Sequence, residues 1–481
     1  MKRGDKMLYI NGEWKSSENN LEVVNPATGE VIETVAKGEE RQTDFAIDAA
    51  KNALPTWSKR TAKERSNYLN KVAEILRSRI DMIAEVITKE MGKPVKESKT
   101  EISLAIDYLE WYAEEGKRIY GETIPASSSS KRLSVIRQPI GIVGAITPWN
   151  FPIAMITRKV APAMAAGCTV ILKPASSTPL TAIEVIKAFH DAGIPEGVVN
   201  LIHGTASKIT KALMRSSDVR KITFTGSTEV GKSLVRQSAD TMKKLSLELG
   251  GHAPFIVFED ADLDKTAEDL LASKFRNAGQ TCVCTNRVYV HENIVEKFSE
   301  IFAKKVRELV VGNGIDSGVT IGPLIDNNAV DKVESQVKDA TERGAKILVG
   351  GNRLSNGEYS KGNFFEPTLL VNATHNMKIS YEETFGPVAP IFSFTTEKEA
   401  VEYANSSEYG LASYIFTKDA SRIIRVSEAL DYGIVGINDP MPTVAQAPFG
   451  GVKESGFGRE GGRQGIEDYL EYKYLSFQLD D

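Results

Sequence analysis

Two cysteines one residue apart, Cys282 and Cys284, stand in "NAGQTCVCTNR" at residues 277–287. That spacing raises four chemistries: a metal clip, a disulfide, packing as small side chains, or a nucleophile with a neighbour. A metal site needs about four ligands. The rest of the chain offers Cys168 and five scattered histidines, His190, His203, His252, His291 and His375, with no companion pair at metal spacing. Three cysteines in 481 residues do not make a disulfide scaffold. Burial as a small hydrophobe is the commonest fate of a free cysteine, yet "AGQTCVCTN" is polar, contains glycine and lies at a helix–strand junction.

A cysteine nucleophile needs a lowered pKa, a base and donors for an oxyanion. "LELGG", residues 247–251, puts Glu248 at the end of a strand, with two glycines that let the backbone turn. Asn150 ends another strand, where its amide could donate to an oxyanion. Each signal is weak alone. Together they place a thiol, a carboxylate and an amide at strand ends.

The elements that must position these groups follow from the apolar pattern. From Ile140 onward, strand-like runs alternate with helical ones. "GIVGAITPW", "TVILKPA", "VVNLIHG", "KITFTGS" and "KLSLELGG" read as strands, with "ITRKVAPAMAAG", "TPLTAIEVIKAFHDAG", "ASKITKALMRSS" and "TEVGKSLVRQSA" as helices between them. That alternation predicts an α/β fold with a parallel sheet covered on both faces, and ligands at the carboxyl ends of its strands. A second alternating stretch, from about Ala253 to Asn438, includes "RVYVH", "AKILVGG", "VAPIFSF", "LASYIFT" and "IVGIND". Upstream, apolar residues at helical spacing run from Thr61 to Gly92, where "GKP" supplies a stop. "IPASSSSKR", residues 124–132, has the composition of a surface linker.

Phosphate-binding signals are mixed. The first strand–helix turn, "TPWNFP", lacks the G-x-G-x-x-G of a dinucleotide site. "GFGREG" at 456–461 has that spacing but no strand–helix context, and reads as a chance match. "FTGSTEVG", residues 224–231, follows a strand and opens a helix, so Gly226, Ser227 and Gly231 could cradle an anion; an ordinary glycine turn has the same look. The second strand ends on Lys173 and Ser176, where an acidic residue usually meets the ribose 2′-hydroxyl. A cation and a hydroxyl suit a 2′-phosphate better, although a lysine at a strand end can also simply face water.

Composition excludes some classes. The chain is 41% hydrophobic and 26% charged, with net charge −5 and interspersed signs, which gives no reason to expect nucleic acid or a membrane surface as partner. The run from Val160 to Leu172 is shorter than the ~18–20 residues of a membrane span. The opening "MKRGDKMLYINGEWK" has no apolar core of a secretory signal, so a reduced, cytoplasmic protein is expected.

Taken in order, "PWNFP", "LKPAS", "FTGSTEVG", "LELGG", "GQTCVC", "EETFGPV" and "PFGGVKESGFGREGG" resemble the NAD(P)-dependent aldehyde dehydrogenase superfamily over essentially the whole chain. Within it, "WNFPIAMITRK" and "SKFRNAGQTCVC" are most similar to the succinate-semialdehyde dehydrogenases. The resemblance implies Cys282 as nucleophile and Glu248 as general base, with Asn150 and the Cys282 N–H as the oxyanion hole. It places the cofactor against Thr147, Pro148, Trp149, Lys173, Ser176, Gly226, Ser227, Gly231, Leu249, Glu383 and Phe385. It gives the substrate carboxylate to Arg158, Arg276 and Ser455, although both arginines could be structural. NADP is expected to be preferred, with NAD usable, and no metal is expected. The implied fold has an atypical Rossmann cofactor domain (1–120 and 140–248), a catalytic domain (249–445) and a β-extension for oligomers (121–139 and 446–481). A homo-oligomer, tetramer or dimer, follows from that extension.

The implied reaction oxidises succinate semialdehyde to succinate through a thiohemiacetal and a thioester on Cys282. Glutarate semialdehyde, another carboxylated aldehyde or a general aliphatic aldehyde are the alternatives. Glu248 argues against a relative that hands the acyl group to coenzyme A, since such an enzyme needs no water-activating carboxylate. A cysteine hydrolase would need no nicotinamide, and a non-catalytic homologue would be expected to lose Cys282 or Glu248. Cys284 has two readings: a redox partner that captures oxidised Cys282 in a reducible disulfide, or a packed small residue.

Overall fold

The structure is a computed structural model and describes residues 7–480; residues 1–6, which open the expected cofactor domain and the segment read for a signal, and residue 481 lie outside the described residues. The five strands read between Ile140 and Gly251 form a parallel core in the order Val199–Leu201, Thr169–Lys173, Ile142–Ile146, Val219–Thr225, Lys244–Glu248. Ile142–Ile146 and Thr169–Lys173 are buried at every position, which is why they read as unbroken apolar runs. The chain steps outward from the first strand to the third, then returns to the other side of the first. That reversal opens a crevice between the ends of Ile142–Ile146 and Val219–Thr225.

Three short pieces extend this sheet antiparallel. Leu8–Ile10 pairs with Val199–Leu201 at one edge and carries Glu13–Lys15 outside it; Gly456–Phe457 pairs with Lys244–Glu248 at the other edge. This last piece gives "GFGREG" a context: its first glycine sits opposite Glu248 in a ladder, and the helix that follows, Gln464–Glu467, is a single turn.

A second sheet holds seven strands in the order Lys346–Val349, Thr368–Val371, Val388–Phe394, Thr285–His291, Ala253–Val257, Ala412–Phe416, Ile434–Ile437, all parallel except the first pair. Its core centres on Phe255, Tyr289, Phe392 and Tyr414. A third, three-stranded antiparallel sheet joins Glu122–Ile124, Lys131–Pro139 and Leu470–Gln478. "IPASSSSKR" is the exposed connection between its first two strands.

The helical run from Thr61 to Gly92 is two helices, Ala62–Ser78 and Ile80–Met91, parted at Arg79, whose backbone leaves the helical region. Thr61 and Glu64 form a capping box at the first, and Gly92, at φ 98°, ends the second. A long helix, Val95–Glu115, follows and packs against Ala154–Ala166 behind the crevice. Among the described residues no helix is long and apolar enough to cross a membrane.

Candidate functional site

Cys282 sits in the turn between helix Leu263–Phe275 and strand Thr285–His291. The approach to it is strained: Asn277 and Ala278 have φ of 53° and Gly279 of 74°. A Cβ at Gly279 would run into the backbone of Gly386, so this turn tolerates only glycine there. Gly251 abuts the Cys282 carbonyl with equal closeness, which explains the glycines after Glu248: they let the end of the first sheet touch the thiol-bearing turn of the second.

Asn150 follows strand Ile142–Ile146 and is buried. Its Nδ2 donates to the Gln280 carbonyl at 3.0 Å, two residues before Cys282, and its Oδ1 has no partner. Neither does the Cys282 N–H among the described residues.

Glu248 ends strand Lys244–Glu248, almost fully buried, with its Oε2 unpartnered. Burial, reinforced by the nearby Glu460 carboxylate, raises its pKa well above the usual carboxylate range, against the pull of Arg158 and Lys159. The Cys282 thiol is pushed up to about 12 by burial; Arg158 opposes the rise, while Glu248 and Glu383 add to it. The thiol thus stands among carboxylates, Glu248 and Glu383, with Arg158 and Arg276 opposing them.

A cavity of about 390 Å³ opens in front of Cys282. Of the residues predicted for the cofactor, it gathers Pro148, Trp149, Gly226, Ser227, Leu249, Glu383 and Phe385. The Trp149 and Phe385 rings meet edge to face at 5.6 Å, and Phe385 takes a φ of 53°. Glu383 accepts from the Gly251 N–H at 3.0 Å, and burial raises its pKa to about 7. Gly231 lies behind the wall: a Cβ there would strike Leu249, so the glycine lets helix Thr228–Ser238 pack against the strand end. Thr147 is also behind it, with its hydroxyl unpartnered.

Lys173 and Ser176 sit outside that cavity, at the end of the second strand. Ser176 donates to the Gly204 carbonyl at 2.9 Å. Lys173 is 4% exposed with no ion-pair partner among the described residues, and burial lowers its pKa to about 8. His203 is close enough for their charges to interact, and its ring lies against the Ala36 backbone.

The three residues predicted for a substrate carboxylate differ. Arg158 is buried, forms an ion pair with Glu460 at 2.5 Å and lies 4.2 Å from the Phe449 ring. Lys159 pairs with the same carboxylate. The Ser455 hydroxyl is already used by the fold: it donates to the Gly250 carbonyl at 2.7 Å and accepts from the Gly410 N–H at 3.0 Å. Arg276 is half-buried, lies 5.4 Å from the Phe151 ring and has an unpartnered Nε. Cys284 is buried beside Lys274, whose ammonium donates to its sulfur at 3.3 Å.

Sequence reasoning missed Lys332, on helix Asn327–Glu342, which lines the cavity with Glu383 and lowers that carboxylate's raised pKa. No motif marks it. An exposed helix carries many lysines, and only the packing of that helix across the cleft distinguishes this one.

Residues 14–475 match the aldehyde dehydrogenase family. The chain is 52% identical to the NADP(+) succinate-semialdehyde dehydrogenase GabD of Escherichia coli strain K12, over 100% of both chains. It is 53% identical to a glutarate-semialdehyde dehydrogenase of Pseudomonas putida, over 98% of both. The crystal structure of an E. coli NADP dependent enzyme superposes with a TM-score of 0.97 at 52% identity, over 98% of both chains.

Proposed function

The chain belongs to the aldehyde dehydrogenase family, and on that premise we propose that it oxidises succinate semialdehyde to succinate with NADP, and less readily with NAD. The observation that carries the reading is that Cys282 and Asn150 line one cavity, with Glu248, next to the lining residue Leu249, close enough for its charge to act on the Cys282 thiol. The cavity suits a dinucleotide: Thr225, Thr384 and Asn150 place unpartnered polar atoms at its lining. Trp149, Leu249 and Phe385 would hold the nicotinamide end, with Glu383 and Lys332 on its ribose and Gly226 and Ser227 near the pyrophosphate. Thr147 and Pro148 shape the strand-end turn and Gly231 the helix packing. The unpaired Lys173 cation, with Ser176, would take the ribose 2′-phosphate. A bound oxidised nicotinamide supplies the hydride acceptor.

The protein's own groups do the rest. The Cys282 sulfur adds to the aldehyde carbon, and its proton must leave, for which Glu248 is the acceptor at hand. The Asn150 amide and the Cys282 N–H hold the oxyanion; donors of this kind contribute about 10²–10³ in rate each. Once the Cys282 thioester has formed, Glu248 takes a proton from water, and the hydroxide so generated releases the acid.

The carboxylate end of the substrate is assigned to Arg276, which has no ion-pair partner among the described residues and an unpartnered Nε. Arg158 is held by Glu460 and Ser455 by its two backbone bonds, so in this role they act only if those bonds exchange. A second reading, glutarate semialdehyde as substrate, is favoured by the 53% identical P. putida relative. Initial rates with a series of aldehydes, carboxylated and neutral, with each cofactor in turn, test the proposal. Equal kcat/KM for succinate semialdehyde and butanal would end it.

The three-part division (1–120 with 140–248, 249–445, 121–139 with 446–481) is kept as a proposal. The stretch from Phe449 to Glu460, which bridges on itself and joins the first sheet, is assigned to the seam between the sheets. Ile136, Tyr472, Tyr474 and Phe477 lie exposed on the three-stranded sheet, which supports self-association into a dimer or tetramer there. Three free cysteines support a reduced, cytoplasmic setting.

A further inference from the structure

The "GKP" turn reads in the sequence only as a helix stop. In the structure it is clamped between the two sheets: the Val95 N–H donates to the Gly314 carbonyl at 3.1 Å, and a Cβ at Gly322 would run into the Gly92 carbonyl. Lys93 is thereby carried into the interior beneath the site. Its side chain is 0% exposed, and that of its partner Glu101 is 1%. The ammonium donates to Glu101 at 2.7 Å and to the backbone carbonyl of Asn150 at 2.7 Å, with the Phe151 ring 3.9 Å away.

Glu101 spends its other oxygen on the N–H groups of Ile153 and Ala154, at 2.9 and 3.2 Å, where helix Ala154–Ala166 begins. A carboxylate at a helix N-terminus satisfies free donors and meets the positive end of the dipole. Glu97, one turn earlier on the same face, accepts from the Asn277 N–H at 2.8 Å. The Asn277 amide closes the loop, donating to the carbonyls of Asn150 and Gln280 at 3.1 Å each.

Residues spaced four apart, 93, 97 and 101, thus grip both halves of the oxyanion site. Lys93 and Glu101 hold the Asn150 turn, and Glu97 holds the left-handed turn that leads into Cys282. We propose that Lys93, Glu97 and Glu101 are positioning residues that fix the Asn150 amide relative to the Cys282 N–H, with Lys93 as the central contact. None faces the cavity or touches the reacting atoms. Their effect passes through Asn150 and the Asn277 turn.

The inference rests on reading Asn150 as an oxyanion donor. Asn150→Ala alone tests that reading, and an unchanged kcat would sink the donor and not only the clamp. The clamp itself is tested by a mutant cycle. Lys93→Met with Glu101→Gln removes both members of that ion pair together, and the glutamine can still accept from Ile153 and Ala154. A 1 Å misplacement of a catalytic group costs about 10²-fold, so kcat should fall about 10- to 100-fold in the wild-type background. In the Asn150→Ala background the same pair should cost less than about threefold, because the group it positions is gone. Alkylation of Cys282 by iodoacetamide, which needs no oxyanion donor, should keep its rate. An equal loss in both backgrounds, or alkylation slowing in step with kcat, overturns the proposal and leaves a structural ion pair. Should the paired variant not fold, Glu97→Ala enters the same cycle, with the same two outcomes deciding.

Discussion

The cleft has two ends built on opposite principles. At the reacting end nearly every backbone group is held. The Asn150 carbonyl takes two donors, its amide is tied to Gln280, and the turn to Cys282 is bent through left-handed residues. At the other end, where the second strand of the first sheet stops, Lys173 is buried with no ion-pair partner among the described residues. The difference is that geometry is fixed in advance where bonds change, while charge is held in reserve where a ligand must be chosen. Substitutions at the first end should therefore change rate, and those at the second should change which cofactor is used.

The strongest way to break the comparison is Cys282→Ala. Aldehyde-dependent nicotinamide reduction should fall below about one thousandth of wild type, the order of loss expected on deleting a nucleophile. Cofactor affinity, followed by tryptophan fluorescence, should hold, because the Lys173 end is untouched. A variant that kept even a tenth of its rate would remove the thiol from the mechanism.

Arg276→Ala should come next. Truncating one partner of a buried charge pair costs about 2–5 kcal/mol, and Arg276 is only half-buried, so about 2 kcal/mol is expected in kcat/KM for succinate semialdehyde. Butanal should be almost unaffected. An equal loss for both would make the arginine structural.

Ser176→Glu sharpens the other side. A carboxylate there would repel a 2′-phosphate and accept from a 2′-hydroxyl, so the kcat/KM ratio should move toward NAD by about tenfold or more, equivalent to about 1.4 kcal/mol. kcat with saturating NAD should stay near wild type. A wild-type enzyme already strongly selective for NAD would contradict the assignment of Lys173.

The free enzyme offers a test by pH. Because burial holds the Cys282 thiol up to about 12, its thiolate fraction at neutral pH is low and grows as pH rises. Alkylation of the free enzyme by iodoacetamide should accelerate steadily from pH 7 to pH 10, without levelling near the ordinary thiol value of about 8.5. A plateau at or below that value would show a thiol already activated by its surroundings.

Most of the scaffold was legible because it repeats a local pattern. The five strands of the first parallel core each read as apolar runs, and Glu248, Asn150 and Cys282 each end or follow an element that periodicity could place. Short pieces escaped. Gly456–Phe457 is two residues long and owes its strand state to Glu248, about two hundred positions away. Thr368–Val371 and Ala253–Val257 are only four and five residues long, each with a proline beside or within its start, which argues against a central strand. In the site, motif order singled out Cys282, Glu248 and Asn150, but it could not say which polar atoms were already used. Arg158 and Ser455 look like Arg276 as letters; Glu460 and the Gly250 carbonyl, which occupy them, come from distant segments. Lys93 was hidden for the same reason, since a lysine between glycine and proline shows only a turn.

The central claim is that oxidation passes through an acyl group on Cys282 which Glu248 then releases. Glu248→Gln enzyme mixed with NADP and succinate semialdehyde, quenched rapidly and digested for peptide mass analysis, tests it directly. The account calls for a burst of about one equivalent of reduced nicotinamide per site, slow turnover afterwards, and a succinyl group on the peptide bearing Cys282, since the general base typically contributes about 10²–10⁴ to the hydrolytic step. An acyl group on another residue, or full turnover with no acyl-enzyme at Cys282, would contradict it.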